Sequence, residues 1–187
     1  MKNLTGTISD SYLEMQIKLH ENPNYGSTSR LYAPLISKLV EETNSKSLSD
    51  YGAGKGRLKG ELEILGTYVD YRPFDPAFPE YGPPKTADFS VCIDVLEHVE
   101  PQFIDNILSD LSKITLRYGF FSIHTGPAKK SLPDGRNAHL IQAPTSFWLE
   151  LLCKFFEIIH LQRSDDGKGF YVIVENKIFY DEKNKFY

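Results

Sequence analysis

Long hydrophobic runs are missing from this chain. No apolar stretch approaches the roughly 20 residues of a membrane helix, so the sequence predicts no membrane partner. The opening segment, MKNLTGTISDSYLEMQ, has no apolar core of the secretory kind, and the expectation is a cytoplasmic protein. Cysteine is nearly absent. Cys92 and Cys153 both sit in apolar surroundings and are expected to be buried thiols in a reducing compartment rather than a disulfide. No Cys/His spacing suggests a zinc site, and no metal is expected. Positive charge is not in excess. With 21 Lys and Arg against 25 Asp and Glu, the net charge of −4 gives no general attraction to a polyanion, so nucleic acid is not an expected partner. Internal repeats and low-complexity linkers are also missing.

What is present is an alternation of strand and helix patterns over 187 residues, enough for one domain with a full core. Residues 1–30 read as polar and irregular, with the turn-rich HENPNYGSTS. A helix is predicted at about 30–43 from Leu31, Leu35, Leu39 and Val40, with Ser29 as cap and Pro34 tolerated only in a first turn. KSLSDY reads as a strand, GRLKGELEI as a helix with Leu58, Leu62 and Leu65 inward, and TYVDYRPFD as a strand weakened at its end by Pro73. The proline-rich PAFPEYGPP connects to a buried-type strand, ADFSVCIDVL. An amphipathic helix follows in EPQFIDNILSDLSKI, then a strand in YGFFSIHT, a long loop over 126–144 and a helix in TSFWLELLCKFF. EIIHLQRS and GFYVIVEN close the chain as a hairpin through SDDGKG.

This order predicts an α/β fold: a Rossmann-like, doubly wound, mostly parallel sheet with a C-terminal antiparallel hairpin. Residues 1–44 form an N-terminal helical or lid segment, and 45–187 form the sheet domain. Ligands in such sheets bind beyond the carboxyl ends of the strands. The loops at 50–57, 75–86, 94–101 and 124–144 are therefore expected to crowd one edge.

The stretch SDYGAGKGRL, residues 49–58, places Asp50 ahead of Gly52, Gly54 and Gly56 at a strand-to-helix corner. The spacing departs from the dinucleotide G-x-G-x-x-G, and GKGR lacks the hydroxyl residue of a P-loop. An acid heading a glycine turn suits a cationic ligand whose tail lies close to the main chain. With DFSVCIDVLEHVEP at a later strand end, these residues resemble the class I S-adenosylmethionine-dependent methyltransferases. The segments DPAFPE and LPDGRNAHLI further resemble those of short bacterial and phage methyltransferase-like proteins.

The resemblance spans about residues 45–180 and implies S-adenosylmethionine as cofactor, with Asp50, Gly52, Gly54 and Gly56 around its amino-acid tail. It implies Asp94, Val95 and Leu96 beside the cofactor, with Glu97 and His98 toward the cleft or starting the next helix. It also implies a carboxylate at the second strand for the ribose hydroxyls, since one carboxylate accepts from two hydroxyls. Asp70 and Asp75 are the candidates; Asp75 is preferred because Pro76 places it at the strand tip. Only about ten residues separate Asp75 from the strand at Ala87, so the usual second helix and third strand are expected to be shortened or missing. Phe74, Phe78 and Tyr81 are then candidate walls for adenine.

On the acceptor side, the loop over 124–144 supplies His139 and His124 as candidate bases, in that order. Lys129, Lys130, Arg136 and Asn137 are candidate acceptor contacts, and Tyr25 a candidate lid contact. The chain has no Asn/Asp-Pro-Pro-Tyr/Phe motif for exocyclic amines of DNA and no Pro-Cys nucleophile for pyrimidine carbon-5. The expected activity is methyl transfer to an oxygen or nitrogen of a small acceptor, either neutral or anionic. The alternative is a non-catalytic methyltransferase-like module acting through a partner.

Overall fold

Every predicted strand forms, and all six join one sheet in the order β2-β1-β3-β4-β6-β5. The structure, a computed structural model, describes residues 6–184. In chain order the elements are α1 (Asp10–His20), α2 (Ser29–Glu42), β1 (Ser47–Tyr51), α3 (Arg57–Ile64), β2 (Asp70–Phe74), β3 (Ala87–Ile93), α4 (Ile104–Ile114), β4 (Thr115–His124), α5 (Thr145–Leu152), β5 (Phe156–Arg163), β6 (Gly169–Asn176) and α6 (Lys177–Asn184). Strands β1 to β4 are parallel; β6 runs antiparallel to both β4 and β5. The chain leaves β1 toward one edge through β2 and returns to its other side as β3. That reversal opens a crevice at the carboxyl ends of β1 and β3.

Side-chain alternation sends the strands into two cores. On one face, Cys92, Phe121 and Val172 pack with Leu108, Leu111 and Trp148 from α4 and α5. On the other, Leu48, Phe89, Val91 and Phe120 meet Ile36, Val40, Leu58 and Leu62 from α2 and α3. Helix α4 shows the amphipathic logic plainly. Its five apolar positions, Ile104, Ile107, Leu108, Leu111 and Ile114, are all buried, each contributing about 1.5–3 kcal/mol. Between Phe74 and Ala87 there is only a single 3-10 turn, Pro79–Tyr81, so the second helix and third strand of the usual plan are absent there, as the chain length required.

Several local expectations are corrected. Residues 10–20 are helical, capped by Ser9, whose hydroxyl accepts from the Tyr12 amide. In α2 the buried stripe is Ala33, Ile36, Leu39 and Val40, and Leu31 is 79% exposed. Ser29 is the first helical residue rather than the cap, and Pro34 lies within the helix, past its first turn. Leu65 is exposed, and so is Cys153, a free thiol at the end of α5; Cys92 is buried as expected. No helix among the described residues is long and apolar enough to cross a membrane.

Candidate active site

The glycine corner after β1 is forced into the left-handed region. Gly52, Gly54 and Gly56 have φ of 81°, 51° and 65°, a conformation that costs residues with a Cβ. Gly52 has a second constraint: a Cβ there would lie 2.4 Å from Val95 Cγ2. The turn after β3 therefore seats directly on the turn after β1. Gly52→Ala is expected to lower the melting temperature by about 5–10 °C through overpacking and backbone strain, read by thermal denaturation.

The amides of this corner face inward. Gly52 and Ala53 N–H donate to the Phe74 carbonyl at 2.8 and 3.0 Å, Gly54 N–H to Asp75 Oδ2 at 2.9 Å, and Gly56 N–H to the Ala53 carbonyl at 2.9 Å. Main-chain amides from these four residues are thus not free to receive a carboxylate, which corrects the simplest picture of a bare cradle.

A cavity of about 640 Å³ opens above the corner, at the carboxyl ends of β1, β2 and β3. Asp50, Gly52, Gly54, Phe74, Asp75, Asp94 and Val95 line it, together with Tyr25, His98, His124, Lys129, Lys130 and His139. The loops expected at one edge do converge there. Asp75 sits at the tip of β2; besides Gly54 it accepts from Ala77 N–H at 2.9 Å. Asp70 lies at the opposite end of the same strand, exposed and paired with Arg72. It does not line the cavity, because the remaining four residues of β2, 71–74, stand between it and Asp75.

Asp50 is 3% exposed, and the Tyr71 hydroxyl donates to its Oδ2. Burial pushes its carboxyl up to about 7; the Tyr71 hydrogen bond opposes this and neighbouring Asp75 adds to it. In the folded protein Asp50 therefore holds a proton over a pH range in which an unfolded aspartate has lost it. Its contribution to stability is present below the ordinary carboxylate range and is lost as pH rises through about 7.

The segment after β3 carries the other charged wall. Asp94 takes φ of 58°, and its amide bonds to the Ser122 carbonyl and hydroxyl. Thr28 Oγ1 donates to Asp94 Oδ2 at 2.9 Å. His98 donates from Nδ1 to the Ala138 carbonyl (2.8 Å), and His139 from Nδ1 to the Gly126 carbonyl (2.7 Å), which leaves each Nε2 with a free lone pair. Burial pushes the His98 imidazole down to about 4, against the pull of Asp94. The His139 ring stands 4.7 Å from His98 and 4.8 Å from His124.

Other sequence candidates lie off the cavity. Leu96 is in the core, and Gly56 starts α3. Glu97 is fully buried; its Oε1 accepts from the His124 amide. Arg136 is exposed and paired with Asp134, while Asn137 clasps Ala128 and the His139 amide and so shapes the loop. Phe78 and Tyr81 stack on each other beside Gly54, and only Phe74 of the three aromatics faces the cavity.

Among the cavity residues the sequence reading missed are Gln16 and His20. Both belong to α1, and Gln16 Nε2 and His20 Nδ1 are buried without a partner. Burial pushes the His20 imidazole down, so it is neutral near pH 7 and its Nδ1–H can donate. The signal for α1 was present: Ser9 as cap, with Ile8, Tyr12, Met15 and Leu19 at helical spacing. These four pack against Leu132, Ala138 and Leu140 of the loop over 125–144. That loop is itself a small hairpin, bridged between Ser131 and Asn137.

No protein-family model and no curated protein matches the chain. Solved structures do. The 1,6-didemethyltoxoflavin-N1-methyltransferase of Burkholderia thailandensis, solved with S-adenosylhomocysteine, is similar over 91% of this chain and 92% of its own, with TM-score 0.61 and 14% identity. The N-methyltransferase NodS of Bradyrhizobium japonicum WM9, also with S-adenosylhomocysteine, is similar over 90% and 99%, with TM-score 0.57 and 11% identity. The chain has the class I methyltransferase fold. Magnesium protoporphyrin IX methyltransferase of Synechocystis PCC 6803 shares this fold, with TM-score 0.56 and 14% identity over 89% of this chain and 94% of its own. Within the class I frame, the cavity described above lies at the sheet's switch point, where the glycine corner and the tips of β2 and β3 meet.

Proposed function

We propose that this protein is an S-adenosylmethionine-dependent methyltransferase acting on an oxygen or nitrogen of a small molecule. One observation carries the reading: the glycine corner, the β2-tip carboxylate of Asp75 and the Asp94–Val95 turn all face one cavity large enough for a nucleoside and an acceptor. The residues fit the cofactor. Asp75 keeps acceptor capacity on both oxygens for ribose hydroxyls, and Phe74 offers an aromatic wall to adenine. Asp50 suits the tail ammonium, and the unpartnered Gln16 Nε2 and His20 Nδ1 suit the tail carboxylate that the corner amides do not take. When bound, the cofactor supplies an electrophilic methyl group on a sulfonium.

The chain's own residues then order the acceptor. Lys129, Lys130 and Tyr25 line the cavity, with Lys130 Nζ 4.8 Å from the Tyr25 ring centre, and favour an acceptor bearing negative charge. His139 and His124 stand across the cavity as proton acceptors for an O–H or N–H nucleophile. Residues of α1 and of 20–29 line the same cavity, a placement that suits a lid.

Calorimetric titration tests the reading: S-adenosylmethionine and S-adenosylhomocysteine bind one per chain and NAD does not. Tight NAD binding without either would contradict it. Because the tail ammonium selects ionised Asp50, affinity should rise as pH goes from 6 to 8 and level off above, in step with the carboxyl at about 7. Asp50→Asn should flatten that rise. In a small-molecule screen that follows S-adenosylhomocysteine release, His139→Ala should slow turnover about 100-fold or more while leaving cofactor affinity within about twofold. Unchanged turnover would remove His139 from the reaction.

A further inference from the structure

We propose that Asp94, His98 and His139 bind a divalent transition-metal ion at the cavity wall. One ligand atom from each of these three residues lies within 4.8 Å of the other two. Atoms sharing a first-row ion with bonds near 2.1 Å are at most about 4.2 Å apart, so small side-chain adjustments close the set. Asp94 and His98 lie four positions apart in the turn just after β3, and His139 comes from the far end of the loop over 125–144. No local spacing in the sequence reveals that His139 joins them.

Each candidate ligand is held from behind. The Ala138 and Gly126 carbonyls accept from Nδ1 of His98 and His139, fixing the tautomers that present Nε2. Thr28 Oγ1 anchors one oxygen of Asp94. Such outer partners are what orient ligating imidazoles and carboxylates in metal sites. Glu97, next in the chain to His98, is wholly buried, and its Oε1 accepts from the His124 amide. One carboxylate and two imidazoles form a donor-rich group with no cationic side chain among them.

Two imidazoles and a carboxylate suit manganese(II), iron(II), cobalt(II) or zinc(II) better than magnesium or calcium, which prefer all-oxygen shells. Three protein ligands leave coordination positions open toward the cavity. A hydroxyl-bearing acceptor can occupy one of them, where the ion lowers the hydroxyl pKa. Its proton passes to His124 or solvent, the oxygen forms the new bond to methyl, and the sulfonium carbon–sulfur bond breaks to leave a neutral thioether. In this arrangement His139 serves the ion and His124 is the remaining base. Only this last use rests on the methyl-transfer reading; the ion site rests on the side-chain geometry.

The test is titration of chelator-treated full-length protein with cobalt(II), followed by visible absorption, alongside S-adenosylhomocysteine calorimetry on the same sample. The wild type should bind one cobalt per chain. His139→Gln and Asp94→Asn should each weaken binding at least about tenfold with melting temperatures near that of the wild type. His160→Gln, on β5 outside the cavity, should leave it unchanged. Absence of binding at millimolar cobalt, or equal binding by wild type and both folded variants, overturns the ion site. Cobalt bound without S-adenosylhomocysteine supports the ion site and removes the cofactor reading. The reverse pattern removes the ion site alone.

Discussion

Replacing Asp75 by alanine is expected to weaken S-adenosylhomocysteine binding at least about 100-fold. Two losses combine. The Gly54 amide loses the carboxylate that now accepts from it at 2.9 Å, and the glycine corner loosens. The ribose loses its charged acceptor. Hydrogen bonds to a charged group contribute about 1.5–3 kcal/mol each, so two of them exceed the ~2.7 kcal/mol that a 100-fold change represents. Asp75→Asn keeps an acceptor oxygen without the charge and should fall between alanine and wild type. Asp70→Ala, at the other end of β2, should bind like wild type. Calorimetry reads all three, with thermal denaturation confirming that each variant is folded. Equal affinity for wild type and Asp75→Ala would remove Asp75 from the ribose site.

Gly54→Val should bring cofactor binding below detection. Gly54 has φ of 51°, and a Cβ there would come within 3.1 Å of His20 Cε1. A branched side chain adds strain in the left-handed region. It also drives the His20 ring, which already touches Tyr25 and Phe78 edge-on, out of the lid. Gly60→Ala provides the contrast. Nothing lies within 4 Å of its added Cβ, it sits inside α3, and alanine favours a helix over glycine. That variant should bind normally and melt slightly higher. A Gly54→Val protein that folds and binds S-adenosylhomocysteine with wild-type affinity would refute the role given to this corner.

These two positions illustrate how much the sequence disclosed. The mostly parallel sheet with its closing antiparallel hairpin followed from strand patterns alternating with amphipathic helices, α4 most clearly; the strand order came only from the structure. The shortened connection after β2 followed from chain length alone: too few residues lay between Asp75 and Ala87 to hold a helix and a strand. The choice of Asp75 over Asp70 came from Pro76, and the structure places the two carboxylates at opposite ends of β2.

What the sequence hid was long-range. A helix of modest amphipathicity, α1, was read as irregular because its polar residues outnumber its apolar ones. Its Gln16 and His20 became visible only once α1 packed on the loop over 125–144. The inward turn of the corner amides depends on the Phe74 carbonyl and the Asp75 side chain, more than twenty positions away in the chain. Arg136 and Asn137 looked like acceptor contacts because they are polar loop residues. Folded, Arg136 satisfies Asp134 and Asn137 holds the loop's own backbone. The grouping of Asp94, His98 and His139 likewise exists only in three dimensions.

The central claim is that a nucleoside lies over the tips of β1, β2 and β3. A crystal structure with S-adenosylhomocysteine tests it most directly. The account predicts the ribose on Asp75, the base against Phe74, and the amino-acid tail between Asp50, Gln16 and His20. A nucleoside bound elsewhere, or a complex in which Asp75 and Phe74 make no contact with it, would contradict the account.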